Sequence, residues 1–297
     1  MPHYSEVELS IKSMPYITFK NLGAIGNTCS QIQQYASLLS ISSKNNHKIV
    51  FNNKATQTGY GLKFLELLDI NITILPDEEF NKINFKTITV DNSIPIDKKM
   101  FELQSDVNYN VDGRFDLISY WYNSDVGDEF LKTRFKENVY KEAMIIVKNL
   151  KEKNPDIEEF VSAHVRRADY LLEKHDHFSK LDGEYYYKAL KENFMDKKFK
   201  LLIFSDDIQY ARESLLGETD YTEYVDSGND YVDMCVMSMC DHNIIANSSY
   251  SLFAALLNKN QRKVVVCPKN YLKEYSPWAH INHIWHPAEW KEIDNGL

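Results

Sequence analysis

The 297-residue chain has no run close to the roughly 18 apolar residues that a membrane-spanning helix needs. Its opening, M-P-H-Y-S-E-V-E-L-S, lacks the basic and apolar regions of a signal peptide. The expectation is a cytoplasmic protein with no transmembrane segment; a peripheral membrane contact, or an anchor outside this sequence, stays open. Positive charge is not in excess. A net charge of −9 argues against nucleic acid or an anionic membrane as the main partner, although it leaves room for a local basic pocket. Cysteine is scarce: Cys29, Cys235, Cys240 and Cys267 form no C-x-x-C, and no Cys/His cluster has zinc-ligand spacing. Reduced thiols serving as small hydrophobes are expected, in a reducing compartment. There is no internal repeat and no low-complexity tract.

What is present is a folded composition, 43% apolar and 13% aromatic, in a chain long enough for two domains. Tyr16–Lys20 reads as a first strand, followed by Gly23 and Gly26, whose freedom suits a sharp strand-to-helix turn and the close approach of a ligand. Gln31–Ser43 carries a helical apolar stripe. Lys48–Phe51, Ile70–Ile74 and Thr87–Val90 read as strands, and Leu62–Leu68 as a short helix. Val111–Tyr122 ends in an aromatic cluster with two readings, core packing or stacking on a sugar face. Glu129–Leu150 reads as one long helix. The polar run K-E-K-N-P-D around Pro155 then breaks the pattern, so the expected domains are 1–153 and 154–297.

The second half repeats the alternation. Strands are expected at Phe199–Ser205, Asn243–Ala246 and Val264–Cys267, and helices at Gly183–Phe194, Ala211–Leu215, Asp230–Cys240 and Leu252–Leu257. Two α/β domains facing a central cleft account for such a chain. Its most informative stretch is V-S-A-H-V-R-R-A-D-Y at 161–170. An apolar alternation delivers His164, Arg166, Arg167 and Asp169 at the carboxyl end of a strand, where open α/β sheets collect ligands. A guanidinium stays charged and is costly to bury unpaired, so the pair calls for carboxylates or an anion. A surface ion-pair cluster is one reading; a diphosphate gripped by the arginine fork is the other. Ser248 and Ser249, at an expected helix N-terminus, would add anion-binding N–H and hydroxyl donors. Asp206–Asp207 reads either as an acidic metal pair or as a helix cap supplied by Asp207.

At this point the residues resemble a family. H-V-R-R-A-D-Y at 164–170 resembles the H-x-R-R-x-D motif of α-1,2-, α-1,6- and protein O-fucosyltransferases. His177, Leu181, Tyr185–Tyr186, F-S-D-D at 204–207, D-M-C-V-M-S-M-C-D-H-N-I-I-A-N-S-S-Y-S at 233–251, P-K-N-Y-L at 268–272 and P-A-E-W-K-E-I at 287–293 are similar to motifs of the α-1,2-fucosyltransferases, glycosyltransferase family 11. G-A-I-G-N-x-x-x-Q at 23–31 is similar to that family's opening motif. Departures are Ala24, Ala168, and Leu252–Phe253 where the family mostly has tryptophans; they bear on the acceptor more than on the donor.

The resemblance implies a GT-B fold of two Rossmann-like domains, with GDP-β-L-fucose held by the C-terminal half and a β-galactoside acceptor by the N-terminal half. Donor contacts are expected from Gly26, Asn27, His164, Arg166, Arg167, Asp206, Asp233, Asn247, Ser248 and Ser249, with no metal and no cofactor. Arg166 would stabilise the departing diphosphate; Asp169 and Glu173, with His175 and His177, are the candidates for a base. The implied reaction is inverting transfer to a galactose 2-hydroxyl. A sugar- or nucleotide-binding protein without activity, and a fucosyltransferase of another linkage, are the alternatives.

Overall fold

A computed structural model describes residues 14–24, 27–53, 61–113 and 117–296. Gly26 lies outside the described residues. Two parallel sheets organise the molecule. The first joins β1 (Tyr16–Thr18), β2 (Lys48–Ile49), β5 (Phe85–Thr89) and β6 (Asn108–Asp112) in the order β2-β1-β6-β5. β3 (Phe51–Asn52) and β4 (Ile74–Leu75) form a separate parallel pair. The second sheet joins β7 (Glu159–Val165), β8 (Phe199–Ser205), β9 (Thr222–Tyr224), β10 (His242–Ile244), β11 (Val265–Pro268) and β12 (Lys291–Ile293) in the order β12-β11-β10-β7-β8-β9.

That second order has a direct consequence. From β7 the chain moves outward through β8 to β9, then returns across β7 to place β10 on its other side. The connections after β7 and after β10 therefore leave in opposite directions, which opens a crevice at their carboxyl ends. Both sequence stretches with anion-binding character, the arginines after β7 and the serines after β10, arrive there.

Several expected elements are shorter or divided, for local reasons. Lys48–Phe51 is not one strand: Lys48–Ile49 pairs with β1, and Phe51–Asn52 turns to pair with β4. Of Ile70–Ile74 only its last residue is in a strand. The long helix expected at Glu129–Leu150 is two helices, Asp125–Phe130 and Glu137–Lys153. Between them the backbone extends, because the Asp69 N–H donates to the Arg134 carbonyl at 2.8 Å and the Lys136 N–H to Leu67 at 2.9 Å. β6 escapes a periodicity reading because its asparagines face neighbouring backbone: Asn108 and Asn110 accept from the N–H groups of Tyr16 (2.7 Å) and Lys20 (3.0 Å).

The aromatic cluster after β6 is core, which corrects the sugar-stacking reading for Tyr120 and Trp121: both are buried. Trp121 stacks on Phe253 with centroids 6.2 Å apart and planes 6° from parallel. The stack joins the first half to the Ser249–Leu257 helix of the second, and the apolar core runs continuously through both halves. Leu252 and Phe253, the departures from the family's tryptophans, are thus packing residues. The Glu137–Lys153 helix packs on the Asp230–Ser238 helix behind the second sheet.

The stack sets a first prediction. Phe253→Ala removes a fully buried ring and should cost about 3–5 kcal/mol in urea unfolding, whereas Tyr187→Ala, at a position 59% exposed, should change stability by less than about 0.5 kcal/mol. Equal costs at the two sites would contradict this packing.

Candidate active site

The loop that follows β7 is held by one carboxylate. Asp206, at the end of β8, accepts from the backbone N–H of Arg167 (2.9 Å) and of Ala168 (3.1 Å). Its Oδ2 also lies 2.8 Å from Nη1 of Arg166. Asp169 approaches the same guanidinium from the other side, 2.7 Å from Nη2. The Tyr170 ring lies beneath it, 5.7 Å from the guanidinium carbon, and the Tyr170 hydroxyl donates to the Asn247 carbonyl at 2.7 Å. Burial opposes the charge of Arg166, but Asp206 and Asp169 outweigh it and raise its pKa. Two carboxylates engage two of its nitrogens, and a guanidinium has five N–H donors. Donors remain for an anion in the crevice.

The two arginines are divided. Arg166 lines the cleft, whereas Arg167 turns away, its Nε donating to Asp207 at 3.1 Å and its guanidinium stacked 3.4 Å over Tyr210. Asp207 also caps the following turn, accepting from the Tyr210 N–H at 3.0 Å. The capping reading of that residue is the one observed, and both carboxylates of the acidic pair hold arginines. Among the described residues no group of three His, Cys, Asp or Glu side chains is placed to hold a metal ion.

The cleft, about 250 Å³, is lined from both halves. The first half contributes Asn27, Thr28 and Cys29 at the start of the Thr28–Asn45 helix, with Asn27 capping it by accepting from the Ser30 N–H at 3.1 Å. The second contributes His164, Arg166, Asp206, Asp233 and Ser248. Burial raises the pKa of the Asp233 carboxyl; hydrogen bonding with Ser227 opposes that rise, and Asp226 and Asp230 add to it. Ser248 caps its helix, accepting from the Tyr250 N–H at 3.3 Å. Sequence reasoning missed Tyr231 and Tyr250, which also line the cleft; Tyr231 reaches across it, its hydroxyl 3.3 Å from Thr28 Oγ1. The signal was available in D-Y-V-D and S-S-Y, where each tyrosine lies within two residues of a predicted ligand residue.

Of the expected site residues, Arg167, Asp169, Glu173, Asn247 and Ser249 do not line the cleft. The Asn247 amide is buried and donates to the carbonyls of Ser179 (2.7 Å) and Tyr271 (2.9 Å), tying two loops to the end of β10. Ser249 begins the helix beside the cleft. Glu173 is solvent-exposed in a short turn. The Tyr185–Tyr186 pair supports the crevice from behind: their hydroxyls donate to the carbonyls of Ile245 (2.6 Å) and His164 (2.8 Å), at the ends of the two diverging strands. All four cysteines are free and buried; burial pushes the thiol of Cys29, at the cleft, up to about 12.

Two parallel sheets with a crevice where the strand order reverses form a GT-B-like fold. Solved structures of NodZ α-1,6-fucosyltransferase agree with this fold. The one co-crystallised with GDP superposes with a TM-score of 0.53 at 13% identity, covering 82% of this chain and 92% of that one. The enzyme from Bradyrhizobium gives 0.53 at 14%, covering 82% and 93%. The description "Glycosyl transferase family 11" matches residues 24–293, and the chain belongs to that family. It is similar to the Escherichia coli alpha-1,2-colitosyltransferase, 26% identical over 286 residues, 89% of this chain and 93% of that protein. It is also 36% identical over 118 residues to the O-antigen biosynthesis glycosyltransferase WbnK of Escherichia coli, a match to 37% of this chain and 38% of that protein.

His164 yields a stability prediction. It is buried, its Nδ1 is 3.0 Å from Ser251 Oγ, and burial, reinforced by Arg166, lowers its pKa to about 3 from 6.5. Between those values the unfolded chain binds the proton and the folded one does not. Stability from this group is therefore full above about pH 6.5 and falls as pH drops toward 3, by up to about 1.4 kcal/mol per pH unit. His164→Asn should show a shallower loss of Tm between pH 6.5 and 4.5 than the parent; parallel curves would remove His164 as the cause.

Proposed function

We propose that the protein transfers L-fucose from GDP-β-L-fucose to the 2-hydroxyl of a terminal β-galactose, with inversion and without a metal ion. The observation that carries this reading is Arg166, held between Asp169 and Asp206 at the crevice with donors to spare. Breaking the bond from sugar to GDP builds negative charge on the β-phosphate. A preorganised cation at that point stabilises the transition state more than the ground state, the service a metal ion gives other nucleotide-sugar enzymes. Ser248 and the N–H groups of its helix supply further donors to the phosphates. Asp233 suits guanine, because an ionised carboxylate accepts from both N1–H and the 2-amino group. Arg167, through Asp207 and Tyr210, positions the loop.

For the proton of the attacking hydroxyl, Asp169 is the nearest carboxylate to Arg166. Its ion pair, 2.7 Å from Nη2, makes it a positioning group for the guanidinium. A late loss of the proton to solvent fits that arrangement. Similarity to the colitosyltransferase along most of the chain favours a second donor reading, GDP-colitose, whose sugar is the 3-deoxy form of L-fucose. Parallel assays with both donors decide between them.

The test is GDP release with GDP-fucose and lactose, N-acetyllactosamine or Galβ1,3-GalNAc, with and without EDTA, followed by linkage analysis. Acceptor-dependent, EDTA-resistant release forming the α-1,2 linkage is expected. Arg166→Ala should lower kcat by at least about 10²–10³-fold, the scale of losing one preorganised charge-stabilising donor. Activity that returns only with Mn²⁺ would overturn the metal-independent mechanism, and donor binding without transfer to any acceptor would favour a binding protein.

A further inference from the structure

Tyr170 touches both anion-binding elements of the crevice without lining the cleft itself. Its ring centroid lies 5.7 Å from the Arg166 guanidinium carbon, within the range of a cation–π contact. Its hydroxyl donates to the Asn247 carbonyl at 2.7 Å, on the residue before Ser248. Arg166 follows β7, Ser248 follows β10, and both line the cleft. One side chain therefore bridges the arginine at one strand end to the helix start at the other.

The other contacts of Arg166 do not make this connection. Asp169 belongs to the arginine's own loop, and Asp206 stands at the end of β8, across β7 from β10. They hold the guanidinium toward β8; Tyr170 ties it toward β10. The bridge is firm at both ends. The ring stacks on Phe178, with centroids 4.5 Å apart and planes 7° from parallel. The Asn247 amide is bonded to the carbonyls of Ser179 (2.7 Å) and Tyr271 (2.9 Å), so two loops fix the residue that receives the Tyr170 hydroxyl. Burial raises the pKa of that hydroxyl, which keeps the proton it donates. The two phosphorus atoms of a diphosphate are a fixed distance apart. Donors arriving from different strands bind it together only when their own separation is held to within about 0.5 Å.

Resting on the GDP-sugar reading above, we infer that Tyr170 is a positioning residue that sets the separation of Arg166 and Ser248, and through it the preference for a diphosphate over a monophosphate. Asn247, expected among the donor contacts, then serves the anion site through its carbonyl and not through its amide.

Calorimetric titration of GDP and GMP into the parent, Tyr170→Phe, Arg166→Ala, the double variant and the control Tyr187→Phe tests this. Bonds from a charged donor to the β-phosphate should let the parent bind GDP at least about tenfold tighter than GMP. Tyr170→Phe keeps the ring and loses the bridge; it should weaken GDP by about fivefold and leave GMP within about twofold. On the Arg166→Ala background the same change should move GDP by less than about twofold, because the group it positions is gone. Tyr187→Phe should match the parent. Equal losses for GDP and GMP, or the full loss repeated without Arg166, would reduce Tyr170 to a packing residue and overturn the inference. So would a parent that binds the two nucleotides equally. A parent that binds neither ends the GDP-sugar reading and this inference with it, whereas a parent preference for GDP that survives intact in Tyr170→Phe ends this inference alone.

Discussion

The Asp206 carboxylate is the contact on which the site depends. It takes two backbone N–H groups from the loop after β7 and one edge of the Arg166 guanidinium. Charge-assisted bonds of this kind are about twice as strong as neutral ones. They fix a loop that would otherwise leave its strand with two like charges in succession. The strand ends beneath are fixed in turn by Tyr185 and Tyr186, whose buried hydroxyls engage the last carbonyls on either side of the crevice. The site is rigid from behind before any ligand enters.

This arrangement separates two residues that sequence presents as a pair. Successive residues leaving a strand point in different directions. Arg166 therefore faces the crevice, and Arg167 faces Asp207 and Tyr210. One guanidinium is presented to the cleft and the other is engaged by Asp207 and Tyr210. The cleft is otherwise rich in carboxylates, so a single well-placed cation, rather than a general positive field, distinguishes the place where an anion can sit.

Sequence carried the second half well, because buried parallel strands are short apolar runs and β7, β8, β10 and β11 are all of that kind. It carried the first half less well. β6 alternates asparagines that serve neighbouring backbone, and the helix expected at Glu129–Leu150 is divided by pairing to Leu68, a residue more than sixty positions earlier. Long-range pairing leaves no local periodicity to read. At the site, residue type identified Arg166, Asp233 and Ser248 as cleft residues but could not show that the Asn247 amide ties loops together behind them. An asparagine beside two serines at a strand end has the same chemistry whichever way its amide points.

The stack of Trp121 on Phe253 has a consequence for how the molecule behaves as a whole. One apolar core runs from β1 into the helices of both halves, while a second, built on β7, β8 and β12, lies wholly in the second half. Opening the cleft by a hinge through the stack would expose the buried rings of Trp121 and Phe253. The contact that closes the cleft at its rim, between the Thr28 and Tyr231 hydroxyls, is by comparison a single polar one.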